Sequence, residues 1–173
     1  MNDKIKSVIV LTVICLVVTA LLAVTNSFTA PVIQDARDKK VKESLRAVLP
    51  DMYSIRDAEL PEGAPSTVKA IYIVDDKDYA VVLSTNSAYS NGDMGITVGI
   101  GETGEILGVK LTSYFESKDF GRETYPAQFI GKNADSISGI DVFAGVTYSS
   151  KAFKSALSDA FKAVELIKGG EAE

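Results

Sequence analysis

ITVGIGETGEILGVKLT, Ile96 to Thr112, decides the fold class. Two runs, ITVGI (Ile96–Ile100) and ILGVKLT (Ile106–Thr112), are rich in β-branched residues and flank GETGE, a polar stretch with glycine at the turn. That pattern reads as an antiparallel hairpin. A second hairpin lies upstream, where VKAIYIV (Val68–Val74) and YAVVLST (Tyr79–Thr85) are separated by DDKD. Strands paired in two hairpins predict an antiparallel sheet. Downstream, Phe153, Ala156, Leu157, Ala160, Phe161, Val164 and Ile167 form one apolar stripe at helical spacing, so Ser149 to Lys168 reads as an amphipathic helix that Gly169–Gly170 stops.

Upstream of the strands, Asp51 to Ser66 contains Pro61, Gly63 and Pro65 and reads as a connecting loop. Asp35 to Leu49 places Val41, Leu45, Val48 and Leu49 on one face and reads as a surface helix ended by Pro50. From Ser7 to Gln34 no residue is charged. A hydrocarbon core takes roughly 20 helical residues, so this stretch is long enough to span it. A cleaved signal peptide would carry a shorter apolar region of about 7–15 residues and a small-x-small site. FTA followed by Pro31 fits that site poorly, so a retained anchor is expected. Lys4 and Lys6 precede the span and Asp35 is the first charge after it. The positive-inside bias then puts the N-terminus in the cytoplasm and the rest on the extracytoplasmic side of the cytoplasmic membrane. Cys15 sits mid-span among bulky apolar residues, as a lipid-facing or packed side chain. The expected class is α+β: one N-terminal transmembrane helix, an antiparallel-sheet domain and a C-terminal amphipathic helix. Its regions are 1–34 (cytoplasmic tip and anchor), 35–66 (surface helix and loop) and 67–173 (the domain).

Composition removes several chemistries. The 173 residues include no histidine, so Ser-His, Cys-His and His-metal arrangements are excluded from this chain. One cysteine permits no internal disulfide, and thiolate-ligated iron–sulfur clusters need about four. The CxxCH signature of covalent haem is absent. Net charge is −5 and no basic run occurs, so nucleic acid is not an expected partner. Any electron carrier on this chain must be organic.

DVFAGVTYSSKAF, Asp141 to Phe153, places a glycine and a threonine just ahead of the last helix. Backbone N–H groups at a helix start carry partial positive charge and suit a phosphate. Gly145 lets the backbone approach closely, and Thr147 offers a hydroxyl. Two readings stand at this point: a phosphate-bearing site, or an ordinary cap.

The pattern Asp141-x-x-Ala144-Gly145-Val146-Thr147 resembles the flavinylation motif D-x-x-[S/T/A]-G-[A/V]-T of FMN-binding domains. These occur in the G subunit of the Rnf ferredoxin:NAD oxidoreductase complex and the C subunit of the Na⁺-translocating quinone reductase. The resemblance implies covalent FMN, esterified through its phosphate to Thr147 by a dedicated flavin transferase that uses FAD. TAPVIQ (Thr29–Gln34), the hairpin from Tyr89 to Leu111 and QFIGK (Gln128–Lys132) are similar to family segments in the same order. ESKDFG (Glu116–Gly121) stands where the family often has ETPGLG, which makes Glu116, Ser117, Phe120 and Gly121 candidate flavin contacts. Ala144 replaces the usual Ser or Thr, and Val146 a common Ala. The ester phosphate would keep about one negative charge, which the helix start and Lys151 balance. Tyr114, Phe115 and Phe120 either flank the ring or belong to the core. Gly95, Gly99 and Gly101 share one strand face, either as a flat surface for a ring or backbone or as bulge and turn residues.

The resemblance implies an electron-transfer subunit of an ion-translocating oxidoreductase, coupling ferredoxin:NAD electron transfer to ion transport, with no independent catalysis. Its partners are the other membrane subunits, against which Thr12, Thr19, Ala20 and Ala23 allow close helix contact. The alternatives are the equivalent subunit of a Na⁺-translocating NADH:quinone reductase, and an anchored binding or structural module without cofactor in which Thr147 only caps a helix. The flavin transferase itself is a weaker reading, because no metal- and FAD-binding cluster is visible.

Overall fold

The computed structural model describes residues 3–86, 92–114 and 123–170, without the side chains of 3–4, 32–35 and 37–38. The chain forms two units, residues 1–42 and 43–173.

The first unit is the body of one long helix, α1 (Asp3–Val48), which ends in the second unit. Ile5–Pro31 is apolar and long enough to cross a membrane, and its large side chains are exposed along their whole length. At 1.5 Å per residue, those 27 residues reach about 40 Å. Five hydroxyls in this segment are satisfied by the helix itself. Thr12, Thr19, Thr25 and Thr29 donate to the carbonyls of Val8, Cys15, Leu21 and Thr25, and Ser27 donates to Val24. Such back-bonding spares these five hydroxyls the cost of being bare in lipid. The surface helix expected from Asp35 is not a separate element. A single proline removes one ladder bond, and no glycine follows it before Pro50, so the helix continues through Pro31.

The second unit is an antiparallel meander. Strands β1 (Ile55–Ala58), β2 (Val68–Val74), β3 (Asp78–Asn86), β4 (Asp93–Ile100) and β5 (Ile106–Ser113) lie in sequence order, each hydrogen-bonded to the next. Both predicted hairpins form. β1 lies inside the segment expected to be a loop. IRDA carries no apolar alternation, and three of its four residues are exposed, as an edge strand allows. It is held from the β2–β3 turn. Asp75 accepts from the backbone N–H groups of Tyr53 and Ser54 at 3.0 and 2.7 Å, and from the Ser54 hydroxyl at 3.1 Å. Asp75 and Asp76 adopt left-handed backbone, φ 52° and 57°, which short polar side chains tolerate.

One face of the sheet packs on α3 (Thr147–Gly170). Ile71, Ile73, Val81, Leu83, Met94, Ile96, Val98, Ile100 and Ile106 meet Phe153, Leu157, Phe161 and Val164 in a single core. Thr67 donates to Asp159 at 2.8 Å, and Lys168 donates to the Glu102 carbonyl at 2.8 Å while lying over the Tyr79 ring. Gly169 and Gly170 fall inside the final turn rather than stopping the helix before them. Ends of helices fray over a residue or two, and neither Gly169 nor Gly170 takes the left-handed conformation.

The other face of β4 and β5 receives the last turns of α1. Gly99 and Gly108 are register partners. A β-carbon on Gly99 would lie 2.9 Å from Leu49 Cγ; one on Gly108 would strike the Val48 carbonyl oxygen and lie 2.8 Å from its Cα. Beside them, buried Thr97 donates to buried Ser44 at 3.2 Å. Gly99 therefore accepts protein backbone and side chain, while register shifts at Gly95 and Gly99 and the turn at Gly101 are the other expected use, as bulge and turn residues. A bulge between Gly99 and Ile100 lets β5 turn Ile106 inward although Gly108 faces α1.

Gly108→Ala is expected to destabilise the domain by about 1–3 kcal/mol, because the obstruction is backbone that cannot swing aside. Gly169→Ala, with nothing within 4 Å, is expected to be neutral or slightly stabilising; denaturant melts followed by circular dichroism compare the two. The Asp75 carboxyl is held below its ordinary 3.8, chiefly by the Ser54 N–H, with Tyr53, the Ser54 hydroxyl and Lys77 adding and partial desolvation opposing. A depressed folded pKa stabilises above the unfolded value. The wild-type advantage over Asp75→Asn should be present near neutral pH and disappear as the pH falls through the folded pKa. Thermal melts across that acid range measure it.

Candidate functional site

The site begins with an aromatic nest. Helix α2 (Thr124–Ala127) and its following turn supply Tyr125 and Phe129, the 140–146 loop supplies Phe143, and α3 supplies Phe153. Ring centroids lie 5.3 Å apart for Tyr125–Phe129, 5.7 Å for Tyr125–Phe143 and 5.3 Å for Phe129–Phe153, with edge-to-face tilts. QFIGK thus gains a structural account. Phe129 is fully buried, Gly131 takes φ 75°, and the backbones of Gly131 and Lys132 exchange 2.8 Å bonds with Ile106 at the head of β5. Burial pushes the Tyr125 phenol pKa up; the Ser150 hydroxyl beside it works the other way, and the charge of Asp141 adds to the rise. The phenol therefore stays neutral at physiological pH.

The loop from Ile140 to Val146 is laid over this nest. Val146 N–H donates to the Phe143 carbonyl at 3.2 Å, and Gly145 takes φ 86°, a conformation that other residues strain to reach. Val146 is buried and its carbonyl accepts the first helical bond, from Ser150 N–H at 3.0 Å. Ser150 is fully buried. Its hydroxyl donates to the Val146 carbonyl at 2.8 Å and accepts from Phe143 N–H at 3.0 Å. Lys154 reaches back beneath the loop and donates to the carbonyls of Ile140 and Ser138.

Thr147 opens α3 and is exposed, as are Ala144, Gly145 and Tyr148. A capping threonine accepts from an N–H two or three residues on. Among the described residues the Thr147 hydroxyl makes no hydrogen bond with the protein. The structure thus brings Asp141, Ala144, Gly145, Val146, Thr147 and Lys151 into one loop and helix start. Lys151 is exposed one turn beyond Thr147, and Asp141 is exposed at the base of the loop. Glu116, Ser117, Phe120 and Gly121 lie outside the described residues, as does Phe115. Tyr114 packs against the core.

Sequence reasoning missed Tyr125, Ser150 and Lys154. Ser150 falls between Phe153 and Val146 on the buried side of the helix, and a serine there is a signal in itself, since it must find partners. Lys154 lay off the apolar stripe and offered no such signal. The free hydroxyl of Thr147, the exposed Gly145 and the helix start suit a covalently held phosphate. Among the described residues no group of His, Cys, Asp and Glu is placed to hold a metal ion. A hollow of about 620 Å³ lined by Tyr53, Asp75, Asp76 and Leu107 shares no residue with this loop.

Residues 90–162 match the FMN-binding domain family, and residues 1–48 match the RnfG N-terminal region. The chain is 25% identical, over an alignment 190 residues long with its gaps, to the G subunit of the ion-translocating oxidoreductase complex of Shewanella baltica (strain OS223), covering 92% of this chain and 88% of that one. It is 29% identical over 129 residues to the protein of the same name from Vibrio cholerae serotype O1 (strain M66-2), covering 67% of this chain and 60% of the relative. The matched domain contains β4, β5, the aromatic nest, the loop and Thr147. Over most of its length the chain is accordingly similar to RnfG-type subunits, through an RnfG N-terminal region match at residues 1–48 and an FMN-binding domain match at residues 90–162.

Proposed function

We propose that this chain is the electron-relay subunit of a membrane-bound, ion-translocating oxidoreductase complex and carries FMN as a phosphoester on Thr147. One observation carries the attachment: the Thr147 hydroxyl is exposed and free of protein partners at the start of α3. A cap would have committed that oxygen to the helix, so the cofactor-free reading loses its main support.

In the attachment, Thr147 Oγ1 bonds to the flavin-side phosphorus of FAD, the phosphoanhydride bond to the adenylate breaks, AMP leaves and the hydroxyl proton goes to solvent. A separate flavin transferase, the enzyme the family resemblance implies, would perform it. The tether holds the nucleotide on a domain placed outside the cytoplasmic membrane, where a dissociated cofactor would be diluted away. The N–H groups at the start of α3, with exposed Lys151 one turn on, would balance the remaining phosphate charge. FMN supplies one- and two-electron chemistry at its ring. The protein supplies the hydroxyl, the orientation of the loop and a neutral Tyr125 beneath it.

The relatives bear the name of the G subunit of an ion-translocating oxidoreductase, which favours an Rnf-type complex, with ferredoxin and NAD at its ends, over the quinone-reductase type. Partners are the other membrane subunits. Lys4 and Lys6 before the span support a cytoplasmic N-terminus and an extracytoplasmic domain.

Co-expression with a flavin transferase should give a chain that fluoresces on a denaturing gel under ultraviolet light and is heavier by one FMN ester. Thr147→Ala should lose both signals, and Thr147→Ser should keep them. A wild-type chain weighing only what its amino acids predict, despite an active transferase, would falsify the assignment.

A further inference from the structure

We propose that Ser150 and Lys154 form a clamp that shapes the acceptor loop and so sets the rate at which Thr147 receives its flavin. The inference rests on the acceptor role of Thr147. It concerns two residues outside the D-x-x-A-G-V-T segment itself.

Ser150 bonds back to the carbonyl four residues earlier, as helical serines commonly do. The second bond is different. Phe143 lies seven residues before Ser150 and outside the helix, yet its N–H donates to the same oxygen. Helix geometry has no need of that bond; its effect is to tie the middle of the loop to the helix wall. Because Ser150 is fully buried, water does not compete for either bond.

Lys154 completes the grip one turn further on. Its ammonium is committed to the carbonyls of Ser138 and Ile140, which lead into the loop. The backbone is therefore held at its entry by Lys154, at Phe143 by Ser150, and at Val146 by Ser150 again. Between the last two anchors only Ala144 and Gly145 are unheld, and both are exposed. The clamp thus divides the cations: Lys154 is occupied by carbonyls, and Lys151 remains at the surface for phosphate.

An acceptor hydroxyl must be presented in line with the phosphoanhydride bond that breaks. A loop already in shape spares the transferase the ordering that a floppy one would require. Ser150 and Lys154 are positioning residues; neither touches the reacting atoms.

The test uses the full-length chain in detergent, produced without transferase, then mixed with a flavin transferase and FAD. Initial rates are read from in-gel flavin fluorescence. Ser150→Ala and Lys154→Met should each slow transfer roughly tenfold or more. Lys154→Arg, which keeps donors for the two carbonyls, should restore most of the rate. Gly108→Ala, which perturbs the opposite face of the sheet, should react like wild type, although it melts earlier. Amide exchange of residues 141–147 should accelerate in Ser150→Ala and Lys154→Met and not in Gly108→Ala.

Wild-type transfer rates in both Ser150→Ala and Lys154→Met overturn the clamp. So does an equal slowing in Gly108→Ala, because general stability would then explain the effect. If Ser150→Ala does not fold, the Lys154→Met and Lys154→Arg pair decides alone. Labelling of Thr147→Ala, or none of wild type, overturns the acceptor assignment and the clamp with it; loss of label in Thr147→Ala with fast Ser150→Ala and Lys154→Met overturns the clamp only.

Discussion

Burial of Phe153 against the aromatic nest constrains everything around the site. Once that ring is fixed, the helical repeat turns Val146, Ser149, Ser150 and Leu157 toward the sheet, and Thr147, Tyr148 and Lys151 away from it. The exposure of the Thr147 hydroxyl is thus a consequence of core packing. Tyr125, Phe129, Phe143 and Phe153 bring α2 with its turn, the 140–146 loop and α3 to one point, and removing such a ring from a core costs about 3–5 kcal/mol. The domain cannot keep its core and let the start of α3 drift.

The same constraint governs the opposite face. β4 is buried on both sides: Met94, Ile96, Val98 and Ile100 meet the α3 core, while Thr97 and Gly99 meet the last turns of α1. A strand covered twice carries no charge on its second face, and ITVGI places there Thr97, hydrogen-bonded to Ser44, and Gly99, which has no side chain. Gly99 and Gly108 exist there as absent side chains, giving room for Leu49 and the Val48 backbone. The site is consequently free to occupy the other layer, at the end of the sheet where α3 begins.

The chemistry follows from what the chain lacks as well as what it holds. Without histidine and with a single cysteine in the apolar helix, an organic cofactor is the carrier the composition permits. An ester to a hydroxyl needs no deep cavity to retain its ligand. It needs an accessible oxygen, a backbone that can approach, and nearby positive potential, which Thr147, Gly145 and the helix start with Lys151 combine. Ser150 and Lys154 direct their polarity to the loop itself and leave those three features exposed.

The sequence by itself determined the elements whose signals are local. The uncharged run after Lys6, the two hairpins around DDKD and GETGE, and the apolar stripe from Phe153 to Ile167 each carry their own period, and each forms. The motif ending in Thr147 was equally legible, because its residues are neighbours in the chain. Tertiary structure decided the rest. β1 has no apolar alternation and exists because Asp75 offers a carboxylate across about twenty residues. The single course of α1 through Pro31 reflects continuous helix-forming residues outweighing one lost bond. Whether the Thr147 hydroxyl caps the helix or stays open depended on where its oxygen found partners, and the contacts of Ser150 and Lys154 on which carbonyls came within reach. Those are distances between groups far apart along the chain, set by packing, and no residue type encodes them.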